Sequence, residues 1–452
     1  MNTVTKRAYV LLAIIIAFIA GVVLLGVSFA TEGGTWATSR VNGHLYSGGE
    51  IKNAGKILDC NGVVLAESKN GKRIYNSDKT VRKATLHTVG DTYGFIATGV
   101  HTICRDGLTG YSFVDGIYTL INTGEGSDVK LTIDADLCAK AYKALDGKKG
   151  AIGVYNYKTG EIVCMVSAPT YDPENKPDNM ESDDRYEAVY MNRLLSGLFT
   201  PGSTFKAVTT VAAIENIADI QNREFKCEGA LATAQGGEII CNNTHGKISF
   251  GTALTKSCNS AYAEMGIELG AGVLEKTASS MGFGKSFNVS GVNTAKSRFD
   301  LEGAVDIDIG WAAIGQYTTL INPLHLMMIA GCIAADGSTP VPYFIEDNLN
   351  SVVGNVRTER LIEQTTASQV KTMMRNNVIN NYGDSRFPDM EFGGKTGTAQ
   401  VAGEGSHAWF MGFSTDESFP YAVVVLAENG GGGSDVAVPI ASKVMKELKN
   451  SL

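Results

Sequence analysis

Pro201-Gly202-Ser203-Thr204-Phe205-Lys206, running on into Ala207, Val208, Val211, Ala212 and Ile214, decides how this 452-residue chain is read. Pro-Gly forces a turn, and the apolar spacing after it predicts a helix whose first turn carries Ser203. Residues three apart on a helix lie side by side. The Lys206 amine is therefore expected to reach the Ser203 oxygen and, once deprotonated, to draw off its proton, with the positive end of the helix dipole facing the developing charge. A serine activated in this way needs no histidine.

Ser-x-x-Lys alone is a weak signal, because Ser368-Gln369-Val370-Lys371 also satisfies it and reads as an exposed helix face. Two later segments give the first copy its weight: Ser257-Cys258-Asn259 and Lys395-Thr396-Gly397 follow in the order that penicillin-recognising serine acyltransferases require. Each has decoys. Ser68-Lys69-Asn70 and Ser286-Phe287-Asn288 also read Ser-x-Asn, and Lys158-Thr159-Gly160 is a turn between two alternating apolar runs. The copy at Lys395 follows Gly393-Gly394, precedes Thr398-Ala399, and leads into Ala408-Trp409-Phe410-Met411-Gly412-Phe413. That pattern predicts an edge strand lining a cleft. Lys395 and the hydroxyls of Thr396 and Thr398 would offer a carboxylate cationic and hydrogen-bonding partners, and the glycines would allow close backbone approach.

With these three segments in place, the chain resembles the class B penicillin-binding proteins, monofunctional peptidoglycan D,D-transpeptidases. Val129-Lys130-Leu131-Thr132-Ile133-Asp134, Thr159-Gly160-Glu161-Ile162, Ala168-Pro169-Thr170-Tyr171-Asp172-Pro173 and Gly315-Gln316 through Asn322-Pro323-Leu324 extend the likeness from Val129 to the C-terminus. The resemblance implies an α/β (α+β) transpeptidase fold, with a central antiparallel sheet flanked by helices, a small mostly β pedestal and one transmembrane helix. It implies Ser203 as nucleophile toward D-Ala-D-Ala stem peptides and Lys206 as base. Backbone N–H groups of Ser203 and Thr398 would form the oxyanion hole, and Ser257 with Lys395 would relay a proton to the leaving D-alanine. Asn259 would hold the substrate amide and orient Lys206, and Lys395, Thr396, Gly397 and Thr398 would form the carboxylate-binding strand. It also implies acylation by β-lactam antibiotics and a polytopic glycan polymerase as membrane partner. No cofactor is required for the chemistry. The same residues would serve a D,D-carboxypeptidase with water as acceptor, or a β-lactam-binding sensor. The Glu-x-x-Leu-Asn element by which one β-lactamase class activates water is missing after Asn259.

The rest of the sequence is consistent with a wall-building enzyme. Ala8 to Ala30 is uncharged and apolar behind Lys6 and Arg7, long enough to cross a hydrocarbon layer of about 30 Å, with its positive flank in the cytoplasm and everything after it outside. A cleaved signal peptide is the competing reading, given Ser28-Phe29-Ala30. Residues 31–128 read as a short pedestal, in which Ala54 and Cys60 stand where the family pattern carries arginines, and residues 129–452 as the transpeptidase domain. A net charge of -8 without any basic stripe argues against nucleic acid as partner.

Within the last unit the periodicity predicts a helix over 136–145, a hairpin over 151–166 and a mainly helical stretch over 203–374. Strands are expected over 392–401, 408–414 and 421–428, and an amphipathic helix over 436–448. Gly430 to Gly433 reads as a flexible connector, with a place beside the cleft as the alternative.

Eight cysteines are many for an exported chain. Cys104, Cys138, Cys164, Cys332 and Cys60 read as small buried hydrophobes. Cys227, Cys241, His245 and Cys258 are different: three thiolates and an imidazole suit a tetrahedral structural zinc ion, which would pin the Ser257–Asn259 loop from behind. That placement assumes an extended loop, in which Cys258 points away from the cleft while its neighbours point in. A Cys227–Cys241 disulfide or separate buried thiols are the alternatives.

Overall fold

The computed structural model describes residues 3–39, 46–47, 50–51, 54–111, 126–234, 236–346, 358–401 and 403–452. Parts of the expected pedestal (40–45, 48–49, 52–53 and 112–125) and of the expected helical stretch (347–357) lie outside the described residues.

The chain begins with one helix, α1 (Thr3–Ala37), whose apolar window has a mean hydropathy of 3.2, long and apolar enough to cross a membrane. Its far end is docked. Gly33 and Gly34 are buried, and Thr38, just past the helix, donates from Oγ1 to Asp106 at 3.0 Å.

Strands β1 (Ile57–Leu58), β2 (Val64–Lys69) and β3 (Lys72–Tyr75) form a small sheet beside helix α2 (Lys79–Val89), and β4 (Val129–Lys130) joins it parallel to β1. The decoy at Ser68-Lys69-Asn70 runs from the end of β2 into the turn of this β2–β3 hairpin. The small sheet is fastened to the larger unit by polar contacts. Arg82 on α2 grips Asp172 in a bidentate pair at 2.7 and 2.8 Å, and the Lys176 ammonium lies within 6 Å of the ring centroids of Tyr93, Phe95, Tyr171 and Tyr190.

After α3 (Ala135–Leu145), the hairpin β5 (Gly150–Asn156) and β6 (Ile162–Ala168) turns at Lys158-Thr159-Gly160, as its alternation predicts. The stretch expected to be mainly helical is more mixed. The turn Gly202–Thr204 leads into α4 (Lys206–Asn216), but two antiparallel ribbons follow: β7 (Glu224–Cys227) with β10 (Gly246–Ser249), and β8 (Ala230–Ala232) with β9 (Glu238–Ile240). Then come α5 (Phe250–Thr255), α6 (Asn259–Ser280), α7 (Asp306–Ala313), α8 (Pro323–Ala334) and α9 (Gln364–Asn377). The ribbons are too short to display a period, so composition alone hides them among helices. The decoy Ser368 to Lys371 lies on α9, where Lys371 pairs with Asp336.

Strands β11 (Phe392–Ala399), β12 (His407–Ser414) and β13 (Tyr421–Ala427) return to the first hairpin, giving one antiparallel sheet in the order β11-β12-β13-β5-β6. The wholly buried α8 covers one face of it, and α3 packs with the C-terminal α10 (Val438–Ser451) on the other. β12 and β13 are buried along their whole lengths, which explains why both read as near-continuous apolar runs. β11 is an edge strand, as expected.

Arg193 is the largest charged side chain in this core, only 2% exposed, and it pairs with Glu428 while donating to the carbonyls of Ala188 and Glu187. Removing one partner strands the other. Arg193→Met is expected to lower unfolding stability by about 3 kcal/mol, and Arg193→Met combined with Glu428→Leu to recover most of the loss, as measured by denaturant midpoints of the detergent-solubilised chain.

Candidate active site

The turn that carries Ser203 is pressed against the open edge of β11. Gly202 has φ +54°, and a Cβ there would stand 2.8 Å from the Thr398 carbonyl oxygen. Gly397 faces the same turn from the strand side: its Cβ would lie 2.5 Å from the Pro201 oxygen. Only residues without side chains allow the Ser203 turn and the strand to touch. Gly397, expected among the substrate-binding residues, therefore acts beneath the cleft as a spacer of minimum size. Ser203 itself belongs to a 3₁₀ turn rather than to the α-helix, which starts at Lys206.

Lys206 is fully buried, and its Nζ donates to the Ser257 carbonyl (2.7 Å), the Ser257 hydroxyl (3.2 Å) and Asn259 Oδ1 (2.7 Å). An ammonium has three N–H donors, and all three are committed. The expected hydrogen bond to the Ser203 hydroxyl is absent for that reason. The second lysine, Lys395 on β11, is buried as well and donates to the same Ser257 hydroxyl at 3.0 Å and to the Thr396 carbonyl at 2.9 Å. One serine oxygen thus bridges two lysine nitrogens.

Burial pushes Lys206 down to about 7 and moves Lys395 well below the usual lysine range, the latter assisted by repulsion from Lys206. Burial thus brings the Lys206 amine into the range where its deprotonated form, the one a base requires, is accessible near neutral pH.

The Ser257-Cys258-Asn259 segment differs locally from the extended loop expected. Ser257 is left-handed (φ +52°), and Cys258 is the N-cap of α6. The left-handed turn aims both oxygens of Ser257 at Lys206, while Cys258 is fully buried on the far side, so the inward and outward facing comes out as expected by another conformation. Asn259 is held from behind: its Nδ2 donates to the Ile240 carbonyl at 2.9 Å and its backbone N–H to Cys241 Sγ at 3.2 Å.

Above these groups lies a cleft of about 1140 Å³, whose lining includes Ser203, Ser257, Asn259, Thr396, Thr398 and Trp311. Strand geometry adds a donor to it. The Thr396 N–H points off the open edge of β11, to the Tyr382 hydroxyl at 3.0 Å. Thr398, two residues on, presents its N–H the same way, beside the Ser203 turn.

Several contributors went unread in the sequence. Tyr382 also hydrogen-bonds the Thr396 hydroxyl at 2.8 Å, and Asn377 holds Tyr382 and the Gly394 carbonyl at 3.1 and 2.7 Å. Trp311, Gln316, Ile240 and Asn381 line the walls. Ile240, a large apolar side chain left 62% exposed, is the one that an unusual exposure would have marked. The Gly430–Gly433 segment is not a free connector: Gly433 is buried and its N–H donates to the Thr398 hydroxyl at 3.2 Å, so Ser434 borders the cleft.

Cys227, Cys241, His245 and Cys258 converge directly beneath the Ser257–Asn259 loop. No disulfide forms among the eight cysteines, and the alternative of a Cys227–Cys241 bond is not realised. Cys138, Cys164 and Cys332 are buried as expected, whereas Cys60 and Cys104 are only half-buried.

Residues 150–446 match the family profile described as penicillin binding protein transpeptidase domain. The chain belongs to that family. Among curated relatives of this penicillin-binding family, the peptidoglycan D,D-transpeptidase PbpA of Mycobacterium tuberculosis (strain H37Rv) is 27% identical over 332 residues, covering 66% of this chain and 66% of the relative. The chain thus spans just under two thirds of that relative's length. Among solved structures, the D,D-transpeptidase domain of a peptidoglycan glycosyltransferase from Eggerthella lenta superposes with a TM-score of 0.73 at 26% identity, over 89% of this chain and all of that one. Penicillin-binding protein A of M. tuberculosis, solved as an imipenem acyl-enzyme complex, gives 0.77 at 24% identity over 88% and 99%.

Gly202→Ala tests the contact between turn and strand. A Cβ in the left-handed region and against Thr398 is expected to cost about 1–3 kcal/mol in denaturant unfolding and to slow labelling by a fluorescent penicillin, whereas Gly291→Ala, at an open positive-φ turn, is expected to show the stability loss without the labelling defect.

Proposed function

We propose that this chain is a serine D,D-transpeptidase that cross-links peptidoglycan stem peptides from D-Ala-D-Ala donors through an acyl-enzyme, and that β-lactams acylate it at the same serine. The observation that carries this reading is the hydrogen-bonded set Lys206–Ser257–Lys395 with Asn259, buried under a cleft whose floor exposes Ser203. The family membership and the transpeptidase relatives support the same reading.

In the proposed mechanism, neutral Lys206 takes the proton of the Ser203 hydroxyl as its oxygen attacks the penultimate D-alanine carbonyl. Deprotonation removes one of the three N–H donors and exposes a lone pair, so the amine becomes competent only by giving up part of the network that holds it. The tetrahedral oxyanion is received by the N–H groups of Ser203 and Thr398, and one such donor is worth about 3 kcal/mol. Ser257, between the two lysine nitrogens, passes the proton on to the departing D-alanine nitrogen. Thr396, Thr398 and Lys395 form the terminal-carboxylate end, and Asn259 holds the donor amide. An amine of a second stem peptide then takes the acyl group. No cofactor enters these steps.

In the same reading, residues 1–30 are a cytoplasmic stub and single membrane anchor, 31–128 the pedestal, and 129–452 the catalytic domain on the extracytoplasmic side. The anchor and pedestal are the proposed contacts for a polytopic glycan polymerase. The docked end of α1 supports a pedestal held close to the membrane.

Two measurements test the proposal. Intact-mass analysis after penicillin exposure is expected to show one adduct on Ser203, abolished in Ser203→Ala; an adduct elsewhere overturns the nucleophile. With purified D-Ala-D-Ala donor and an amine acceptor, cross-linked product is expected, and release of D-alanine with water alone would point to a carboxypeptidase.

The pH dependence has a fixed sign. Lys206 is lowered to about 7 by burial and acts as the neutral amine, so the acylation rate should climb as pH rises through about 7 and fall away below it. Lys206→Met is expected to reduce acylation by about 10²–10⁴-fold and to remove that limb of the profile, as measured by stopped-flow acylation.

A further inference from the structure

Ligand atoms of Cys227, Cys241, His245 and Cys258 all lie within 4.8 Å of one another. Three of the separations are closer still: Cys227 Sγ to His245 Nδ1 is 3.4 Å, Cys241 Sγ to His245 Nδ1 is 3.5 Å, and Cys241 Sγ to Cys258 Sγ is 3.8 Å. A tetrahedron with metal–sulfur bonds of about 2.3 Å and a metal–nitrogen bond of about 2.05 Å has S···S edges of about 3.8 Å and S···N edges of about 3.6 Å. The sulfur pair is far beyond the roughly 2.05 Å of a disulfide. The donor set also suits zinc, since three thiolates and one imidazole are soft to borderline ligands that leave no coordination position open.

The four residues arrive from four places in the chain. Cys227 ends β7, His245 precedes β10, Cys241 follows β9, and Cys258 caps α6. β7 and β10 pair, with Cys227 opposite Gly246, which brings His245 round to the Cys227 sulfur. Backbone donors face two of the sulfurs. The Asn259 N–H points at Cys241 Sγ at 3.2 Å and the Ala261 N–H at Cys258 Sγ at 3.5 Å, both from the first turn of a long helix. All three cysteines are buried and His245 is half-buried.

We propose that these four side chains bind one structural zinc ion, and that this ion positions Asn259 and, through it, Lys206. Cys241 is joined to Ile240, whose carbonyl holds Asn259 Nδ2 and so turns Oδ1 toward Lys206. Cys258 separates Ser257 from Asn259, the two residues that accept all three Lys206 donors. Metal–ligand bonds would therefore fix both ends of the acceptor cradle from the side opposite the substrate. The ion touches no reacting atom, and its role is positioning. The metal-binding claim stands independently of the transpeptidase reading; the positioning claim rests on it.

The experiment uses the full-length chain in detergent, expressed with zinc supplementation and purified without chelator. Elemental analysis is expected to give one zinc per chain, and cobalt(II) exchange to give the intense visible bands and thiolate charge transfer of a tetrahedral sulfur-rich site. Cys227→Ser and His245→Ala, neither of them placed in the catalytic set, are each expected to lower bound metal. Should a variant fail to fold, wild type stripped with a chelator supplies the second arm. Its acylation by a fluorescent penicillin is expected to fall on the order of tenfold and to return on adding zinc alone, with the helical circular dichroism unchanged throughout.

Metal well below one equivalent, full metal retained in both variants, or non-reducing mass spectrometry showing two of the three cysteines joined would each overturn the site. Stoichiometric zinc whose removal leaves acylation unaltered would overturn the positioning role alone. A chain that binds zinc but is never acylated by penicillin would overturn the transpeptidase reading, and the positioning role with it, while leaving the ion in place.

Discussion

Two lysine amines buried against a single serine hydroxyl form the constraint on which the rest of this structure depends. Charged, the pair would repel in a region without water; neutral, each needs acceptors for its N–H groups. Ser257 meets both needs with one oxygen between the two nitrogens and a carbonyl turned toward Lys206. A non-glycine residue pays in backbone strain to do this, and the strain lies at the centre of the cleft. The sheet, the helix bearing Lys206 and the helix capped by Cys258 are all arranged so that these groups converge.

The larger scaffold keeps that convergence in register. The central sheet supplies Lys395 on its edge, and its buried inner strands leave that edge little freedom to move. The Ser203 turn then rests directly on the edge, at a distance set by two glycines. The geometry of the candidate site is thus fixed by main-chain contact, which varies less than side-chain packing.

Much of this was legible in the residues. The order Ser203–Lys206, Ser257–Asn259, Lys395–Thr398 places three segments in one site, and alternation together with continuous apolar runs located all five strands of the central sheet to within about three residues. Local patterns did not reveal which partner each polar atom would choose. Lys206 lies one turn from Ser203, yet it prefers three acceptors offered from another helix start, because tertiary hydrogen bonds outnumber the local one. Tyr382 and Asn377 carry no motif, since their roles depend on what the edge strand happens to face. The ribbons around the cysteine cluster are shorter than any period that could announce them. The glycine run after Glu428 reads as slack in one dimension and is taut in three, held by a hydroxyl from a distant strand.

Strand β11 bears a consequence of its own. An unpaired sheet edge invites any extended chain, including another copy of the same protein, to add to it and begin aggregation. Here the Tyr382 hydroxyl stoppers one amide, the Ser203 turn crowds the carbonyl of Thr398, and the Gly433 backbone leans on that residue's side chain. What stays open is the part of the edge that lines the cleft at Thr396 and Thr398. The contacts that border the cleft thereby also shorten the edge on which a neighbour's strand could pair.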